Sequence, residues 1–541
     1  MSADPWGDHF SDAERELLAP FVTDLDAPIF GLRNLPEVVK GALFSRYSRT
    51  DKSLRRILLD EFIQAAESDF ANIVGRTSGF INQTIATQQA EAFYERVLIG
   101  YGDDSVAELG GAHIACEGVS NIAAKALEDS RIGISPLEKS TRYVRFDRKV
   151  DGKYRYLREP AIMASGHAAA YEQAMDALFD TYAELLDPTI AFLQARTPRD
   201  AQTSERAYNS AIRAKAFDLL RGLLPMATLT NVGLFGNGRA FEYLLTKLRA
   251  SSLGELHALA DAMQQPLDAM IPSFVKRAKN ERGRIQQAYL RGLRERVDEA
   301  IKRLALDLPR SELGPDVQLI DYDRDAEQIV VAAILYPHSE LSLNDARALA
   351  AELSDDERRA LIRAYVGDRA NRFQRPGRAF EEVRYVFDLH ADLGAYRDLQ
   401  RHRMLTQERQ NFGVHLGYVT PPELREAGLE ERYSRAIEQA AALVERIAAD
   451  LPEQSQYAVP LAFRVRWRIT LSLREVYHLT ELRSAPQGHP SYRRIAQAIF
   501  DAVRNVHPLL AEGMRFVDMG DYALERLDAE RRLDQKRARL G

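Results

Sequence analysis

At 541 residues the chain exceeds what one ordinary hydrophobic core serves, so roughly two to four domains are expected. Its 45% hydrophobic and 28% charged residues suit a globular protein, and a formal net charge of -6 gives no bulk attraction for nucleic acid. The single cysteine, Cys116, excludes an intramolecular disulfide and a multi-cysteine metal cage.

Met1 to Asp12 show no basic region leading into an apolar run, and no apolar stretch reaches transmembrane length. A cytoplasmic protein without membrane association is therefore expected. Ser11 or Asp12 can cap a first helix, and Leu35–Phe44 and Leu54–Ile63 carry the helical period. Gly100–Ser105 breaks the pattern, after which Val106–Leu127 reads as a helix of small residues. There Cys116 stands among Ala112, Ala115 and Gly118, a setting that suits a core residue better than a nucleophile. From Lys139 to Phe146 the period shifts toward two, predicting a strand or an extended ligand-lining segment.

Helices are predicted over Gly166–Leu186, short of Pro188, over Ser204–Leu224, and over 239–274 with breaks at Gly254 and Pro266. A charged helix over 278–306 leads into Leu308–Pro315, whose turn residues mark the domain boundary, giving domains 1–310 and 311–541. Val317–Ile320 reads as a strand, Ala326–Leu335 as a helix, and Ser342–Ala364 as two short helices with a capped start at Ser354.

The densest chemistry lies in Tyr396–Phe412, where Arg397, Arg401, Arg403 and Arg409 accompany His402 and several amide or hydroxyl groups. Such fixed donors suit an anion, and arginine adds bidentate geometry for phosphate. The second half also repeats the first. Placing Glu381 opposite Glu108 aligns two long segments predicted to be helical, and Arg239–Arg249 resembles Arg474–Arg483, each following a Leu-Pro pair.

These motifs resemble the flavin-dependent thymidylate synthase family. Arg401-His402-Arg403, with Thr406 and Glu408, looks like its arginine-histidine-arginine signature, and Thr470–Arg483 is similar to its carboxy-terminal helix. Gly102–Glu108 resembles its glycine-histidine-x-serine-x-x-glutamate segment, with Asp103 in place of the histidine, and Ser140-Thr141-Arg142-Tyr143 matches its serine-x-arginine-tyrosine ending. Neither half has the full set: the first has Glu128–Arg131 where the signature should begin, and the second has Asn411-Phe412-Gly413 near the place of that ending.

The resemblance implies a predominantly helical α+β fold of two such domains forming a pseudo-dimer, with a homodimer recreating a pseudo-tetramer. It implies FAD at Arg401, His402, Arg403 and Glu408, and a uracil nucleotide such as dUMP at Ser140, Arg142, Tyr143, Arg239, Arg474 and His478. NADPH and methylenetetrahydrofolate are the candidate co-substrates. In the family, reduced flavin supplies a hydride after a methylene unit has passed to the uracil ring; protein groups mainly bind and position. Read from the residues alone, the same arginines could instead form an ion-pair cluster with Asp388, Asp398 and Glu408. His478 could be a satisfied core histidine, and Trp467 could stack on a base or pack against a helix. The histidines and acidic residues form no convincing metal-ligand series, and no dinucleotide-binding glycine fingerprint appears. Three functions therefore compete: a thymidylate-synthase-like enzyme, a non-catalytic flavin- or nucleotide-binding protein, and a structural helical protein.

Overall fold

The computed structural model describes residues 8–47, 50–63, 108–130, 132–140, 142–304, 308 and 311–540. The expectations for Gly100–Ala107, Arg131, Thr141 and, in the interdomain linker, Pro309 and Arg310 lie outside them. Among the described residues, three helices come first, Asp12–Leu18, Glu37–Tyr47 and Leu54–Ile57, the first started by a capping box between Ser11 and Glu14.

Strand β1 (Gly111–Ser120), helix α1 (Asn121–Glu128) and strand β2 (Ile134–Glu138) follow. The helix expected over 106–127 is therefore a strand and a short helix. Ala112, Ile114 and Cys116 are buried while His113, Ala115 and Glu117 are exposed, a period of two that the small residues conceal. The strand expected from Lys139 lies earlier, ending at Glu138.

Helix α2 (Ala168–Arg196) runs through Pro188 instead of stopping before it. Pro188 is exposed, and the buried face of Tyr171, Met175, Leu178, Tyr182, Leu185 and Leu193 outweighs one lost backbone hydrogen bond. Helix α3 (Glu205–Leu220) starts at the Ser204 cap and ends before Leu224-Pro225. Strand β3 (Leu229–Asn237) leads into helix α4 (Gly238–Ala250), capped by Asn237. Later helices cover Gly254–Met270, through Pro266, and Glu281–Arg303.

The second half opens with β4 (Val317–Tyr322) and a helix over Ala326–Leu335, as predicted, then two short helices, Leu343–Glu352 and Asp355–Val366. Strand β5 (Arg384–Asp392), helix α5 (Leu393–Leu399) and strand β6 (Leu405–Arg409) come next. The second of the two long segments predicted to be helical is thus a strand and two turns of helix, with Arg401-His402-Arg403 in the turn beyond. Helix α6 (Glu430–Asp450), strand β7 (Arg464–Ser472), helix α7 (Leu473–Arg483), helix α8 (Pro490–Val506) and helix α9 (Leu527–Leu540) complete the order.

The fold is a predominantly helical α+β one, and the duplication is visible in its topology. The sheet order β1-β3-β2 recurs as β5-β7-β6, with β4 added beside β5. The strand-to-helix step β3-α4 recurs as β7-α7, capped by Asn237 and Ser472.

The chain divides into two compact units, one of Met1–Val119, Ala126–Glu138 and Asn231–Leu308, the other of Ser120–Lys125, Lys139–Thr230 and Pro309–Gly541. In the first, β2 pairs antiparallel with β3 from Ile134 opposite Gly236 to Glu138 opposite Val232, and α4 covers them with Phe241, Leu244, Leu245 and Leu248 buried. In the second, β5 pairs antiparallel with β7 along its whole length. Val465, Trp467, Ile469 and Leu471 are buried on one face of β7 while the intervening residues are more accessible. Trp467 is 2% exposed and meets Tyr396 edge-on at 5.3 Å, so it belongs to the core. Among the described residues, no helix is long and apolar enough to cross a membrane.

Candidate functional site

All the interactions described next, apart from those of Arg239 and Cys116, lie within the second unit. The turn between α5 and β6 leaves Arg401 and Arg403 exposed and turns His402 inward. The His402 imidazole lies 2.7 Å from Glu475 through Nδ1 and accepts the Nε–H of Arg483 on Nε2 at 3.0 Å. Arginine can only donate, so the His402 proton sits on Nδ1 and points at Glu475. Glu475, one turn into α7, also faces Nδ1 of His478 at 3.3 Å, and the two imidazole rings lie 5.1 Å apart.

Burial, reinforced by Arg483 and opposed by Glu475, lowers the His402 pKa to about 4, so the ring is neutral near neutral pH. Burial opposes ionisation of Glu475, but hydrogen bonds from His402 and His478 prevail and bring its pKa to about 2. The donor atoms of His402, Glu475 and His478 lie within 4.8 Å of one another, a grouping capable of holding a metal ion. The tautomer argues against that use, because the Nδ1 of His402 carries its proton. The set reads better as a hydrogen-bonded chain from Arg483 through His402 to Glu475.

A second cluster adjoins the first through Arg483. Burial of Asp398 disfavours its charge, yet Arg401, Arg221, Arg483 and Arg142 together hold its carboxyl below the usual range. Arg142 gives Nε and NH2 to Asp218 at 2.7 and 2.5 Å and NH1 to the Gln487 carbonyl at 3.4 Å. The pair is buried, and Asp218 raises the Arg142 pKa against the cost of desolvation. Arg221 is buried too, 3.6 Å from Asp398 and 3.8 Å from Asp392, both beyond hydrogen-bond reach. Its guanidinium packs on Gly394, where a Cβ would come within 2.7 Å of Nε. Asp218, Arg221, Asp392, Tyr433, His489 and Lys215 line a cavity of about 400 Å³.

The other predicted residues are more dispersed. Ser140 accepts the Arg142 backbone N–H on Oγ at 3.3 Å, and Tyr143, 66% exposed, lies under the Arg526 guanidinium at 4.2 Å. Arg474 gives NH1 to Glu381 at 2.7 Å and Nε to the Pro376 carbonyl at 2.9 Å. Arg239 gives NH1 to Glu108 at 2.7 Å, the same pair in the other repeat. Glu408 is exposed on β6, in register with Arg468. Cys116 is buried, which raises its thiol pKa to about 11 and removes it as a nucleophile. Sequence reasoning did not select Asp218, Arg221, Glu475, Arg483 or Arg526. Only Glu475 had a local signal, standing three residues before His478 on one helix face.

Residues 62–273 and 318–509 each match the model of the thymidylate synthase complementing protein family, and the chain belongs to that family. A UPF0159 protein of Chlamydia muridarum is 43% identical over 97% of this chain and 98% of its own length. A UPF0159 protein of Thermoplasma acidophilum is 35% identical over 92% of this chain and 99% of its own. A flavin-dependent thymidylate synthase of Sulfolobus acidocaldarius is 26% identical over 36% of this chain and 74% of its own. The solved structure of a UMP/dUMP methylase from Streptomyces cacaoi, bound with 5-Br dUMP, covers 38% of this chain and 95% of its own at 21% identity. Its TM-score is 0.30, too slight a likeness to bear on function.

Proposed function

We propose that the protein binds FAD and a uracil nucleotide such as dUMP, and converts the uracil ring by methylene transfer and hydride reduction. Methylenetetrahydrofolate and NADPH are the proposed co-substrates. The observation that carries this reading is that Arg142, Arg401 and Arg483 all act on the charge of Asp398, which lies 3.6 Å from Arg221. Ser140, Arg142 and Tyr143 belong to the first repeat and Arg401 and Arg483 to the second, so the two incomplete motif sets complement each other. In this reading residues 1–310 and 311–541 are two family-like domains of a cytoplasmic protein, and a homodimer supplies the pseudo-tetramer.

Exposed Arg401 and Arg403 are suited to the anionic groups of FAD, whereas His402, turned inward onto Glu475, is suited to fixing the turn that carries them. Reduced flavin, when bound, supplies the hydride. This chain's residues then act by position and charge: guanidinium groups hold phosphate, and neutral His402 keeps Arg483 oriented. Arg474 and His478 lie on one face of α7 and are proposed to reach the nucleotide from that helix.

Calorimetry with FAD and with dUMP, followed by turnover with methylenetetrahydrofolate and NADPH, tests the proposal. Saturable binding of both ligands is expected, that of dUMP weakened at least about tenfold by Arg474→Ala, a loss of roughly 1.4 kcal/mol. Binding of neither ligand would remove the reading. A non-catalytic binding role is the second reading, favoured by the engagement of Arg142 with Asp218 and of Arg474 with Glu381. Binding without turnover would select it.

A further inference from the structure

The family match ends at residue 509, yet a later segment reaches the arginine cluster. Arg526 stands just before α9, with its guanidinium 4.2 Å over the Tyr143 ring. Its Nε and NH1 are buried and have no hydrogen-bond partner. Arg142 is a close like-charged neighbour, and Asp218, the nearby carboxylate, is already engaged by Arg142 through both oxygens. Burial and Arg142 together lower the Arg526 pKa, the response of a cation lacking its anion.

The segment is held firmly on both sides of this residue. Glu525 pairs with buried Lys215 at 2.7 Å, and Lys215 also pairs with Glu423 at 3.0 Å. Beyond Arg526, α9 is tied to α3 by Arg206 with Glu530 at 3.0 Å and with Asp534 at 2.5 Å. A guanidinium with donors to spare, carried on a segment paired on both sides and stacked on an aromatic ring beside a second guanidinium, suits a doubly charged oxyanion.

We propose that Arg526, contributed by the C-terminal segment outside the family-matched region, binds the phosphate monoester of the nucleotide together with Arg142 above Tyr143. This rests on the uracil-nucleotide reading and assigns its phosphate a binding residue. Arg526 supplies the free donors, and Arg142, fixed by Asp218, adds charge. Arg526 is assigned the phosphate alone, so its contribution is expected to be specific to the phosphate.

The test compares the full chain with Arg526→Gln and Arg526→Lys, using dUMP and deoxyuridine in calorimetry and inorganic phosphate in phosphorus NMR titration. Arg526→Gln is expected to weaken dUMP at least about tenfold, leave deoxyuridine unchanged, and abolish the phosphate response. Arg526→Lys, which keeps charge but not the planar fork, should fall between. Unchanged circular dichroism and melting temperature in both variants show that folding is intact. Equal dUMP affinity in wild type and both variants overturns the assignment while leaving the nucleotide reading standing. A phosphate response that depends on Arg526, without binding of dUMP or deoxyuridine, supports the oxyanion site and overturns the nucleotide reading. No response to any probe overturns both.

Discussion

The protonation of His402 should be measurable as a pH-dependent loss of stability confined to one side chain. An unperturbed imidazole titrates near 6.5, whereas burial holds folded His402 at about 4. Below the higher value the unfolded chain binds a proton that the folded chain refuses, so this contribution is complete above pH 6.5 and is lost as pH falls toward 4. The full separation corresponds to about 3 kcal/mol at roughly 1.4 kcal/mol per unit. Glu475, held at about 2 against an ordinary 4.5, acts in the same direction over the next window down.

Replacing His402 with Gln removes the titrating group while retaining an amide that can donate to Glu475 and accept from Arg483. The unfolding free energies of wild type and His402→Gln are then compared by urea titration at about pH 7.5 and about pH 4.5. Trp467, buried in the same unit as His402, serves as the fluorescence probe, in a Trp6→Phe background that removes the other tryptophan. Depressed histidines present in both proteins, His489 and His507, cancel in the difference. The stability advantage of wild type over the variant should shrink by roughly 2–3 kcal/mol between those two conditions. A difference that stays constant within about 0.5 kcal/mol would falsify the assignment of a neutral, buried His402.

Four further outcomes are expected. Replacing Glu381 with Gln releases Arg474 from its 2.7 Å ion pair and should tighten dUMP binding a few-fold, read by calorimetry; an unchanged affinity argues that Arg474 does not meet the ligand. Arg369 and Glu481 form an ion pair at 2.6 Å with both side chains 2% exposed, so Arg369→Met should cost about 3–5 kcal/mol in urea unfolding, and adding Glu481→Leu should recover most of it. A Cβ at Gly222 would lie 2.1 Å from the Tyr433 hydroxyl, so Gly222→Ala should lose about 1–3 kcal/mol, relieved by Tyr433→Phe. Finally, equilibrium dialysis with dUMP should give one nucleotide per chain; a value of two would mean that each repeat carries its own site.

The repeat was legible in the sequence because it recurs as paired landmarks. Glu108 aligned with Glu381 and Arg239 with Arg474 marked the duplication, and the structure adds what the alignment did not state, that the glutamate and arginine of each repeat pair at the same 2.7 Å. Capped helices were equally clear, since Ser354 and Glu357 signal their own boundary. The strands were harder to read. In β1 the buried set is Ala112, Ile114 and Cys116, two of them too small to advertise alternation against a background of alanine and glycine. Residues that complete the site by tertiary pairing left no local trace. Asp218 is 76 positions from Arg142, and nothing in its helix marks it as that arginine's partner.

The two repeats keep the same arginine–glutamate pair but surround it differently, which confines the polar chain to one of them. Counting forward from Arg474, the helix supplies Glu475, His478 and Arg483; at equal steps from Arg239 stand Ala240, Tyr243 and Leu248. Leu248 is 2% exposed, an apolar anchor where the second repeat places the arginine that donates to His402. A buried neutral histidine requires both neighbours, one to accept its proton and one to donate to its free nitrogen, because leaving either unmet costs about 1–3 kcal/mol. Ala240 and Leu248 can do neither, so a histidine after α1 would be left without these partners, and that turn carries Asp129 and Ser130 instead. Conversely, Arg142 draws its fixed geometry from Asp218 on α3, in the stretch between β2 and β3 of the first repeat. Each repeat thus carries the polar groups its own neighbours can support: the Arg142–Asp218 pair in the first and the chain from Arg483 through His402 to Glu475 in the second.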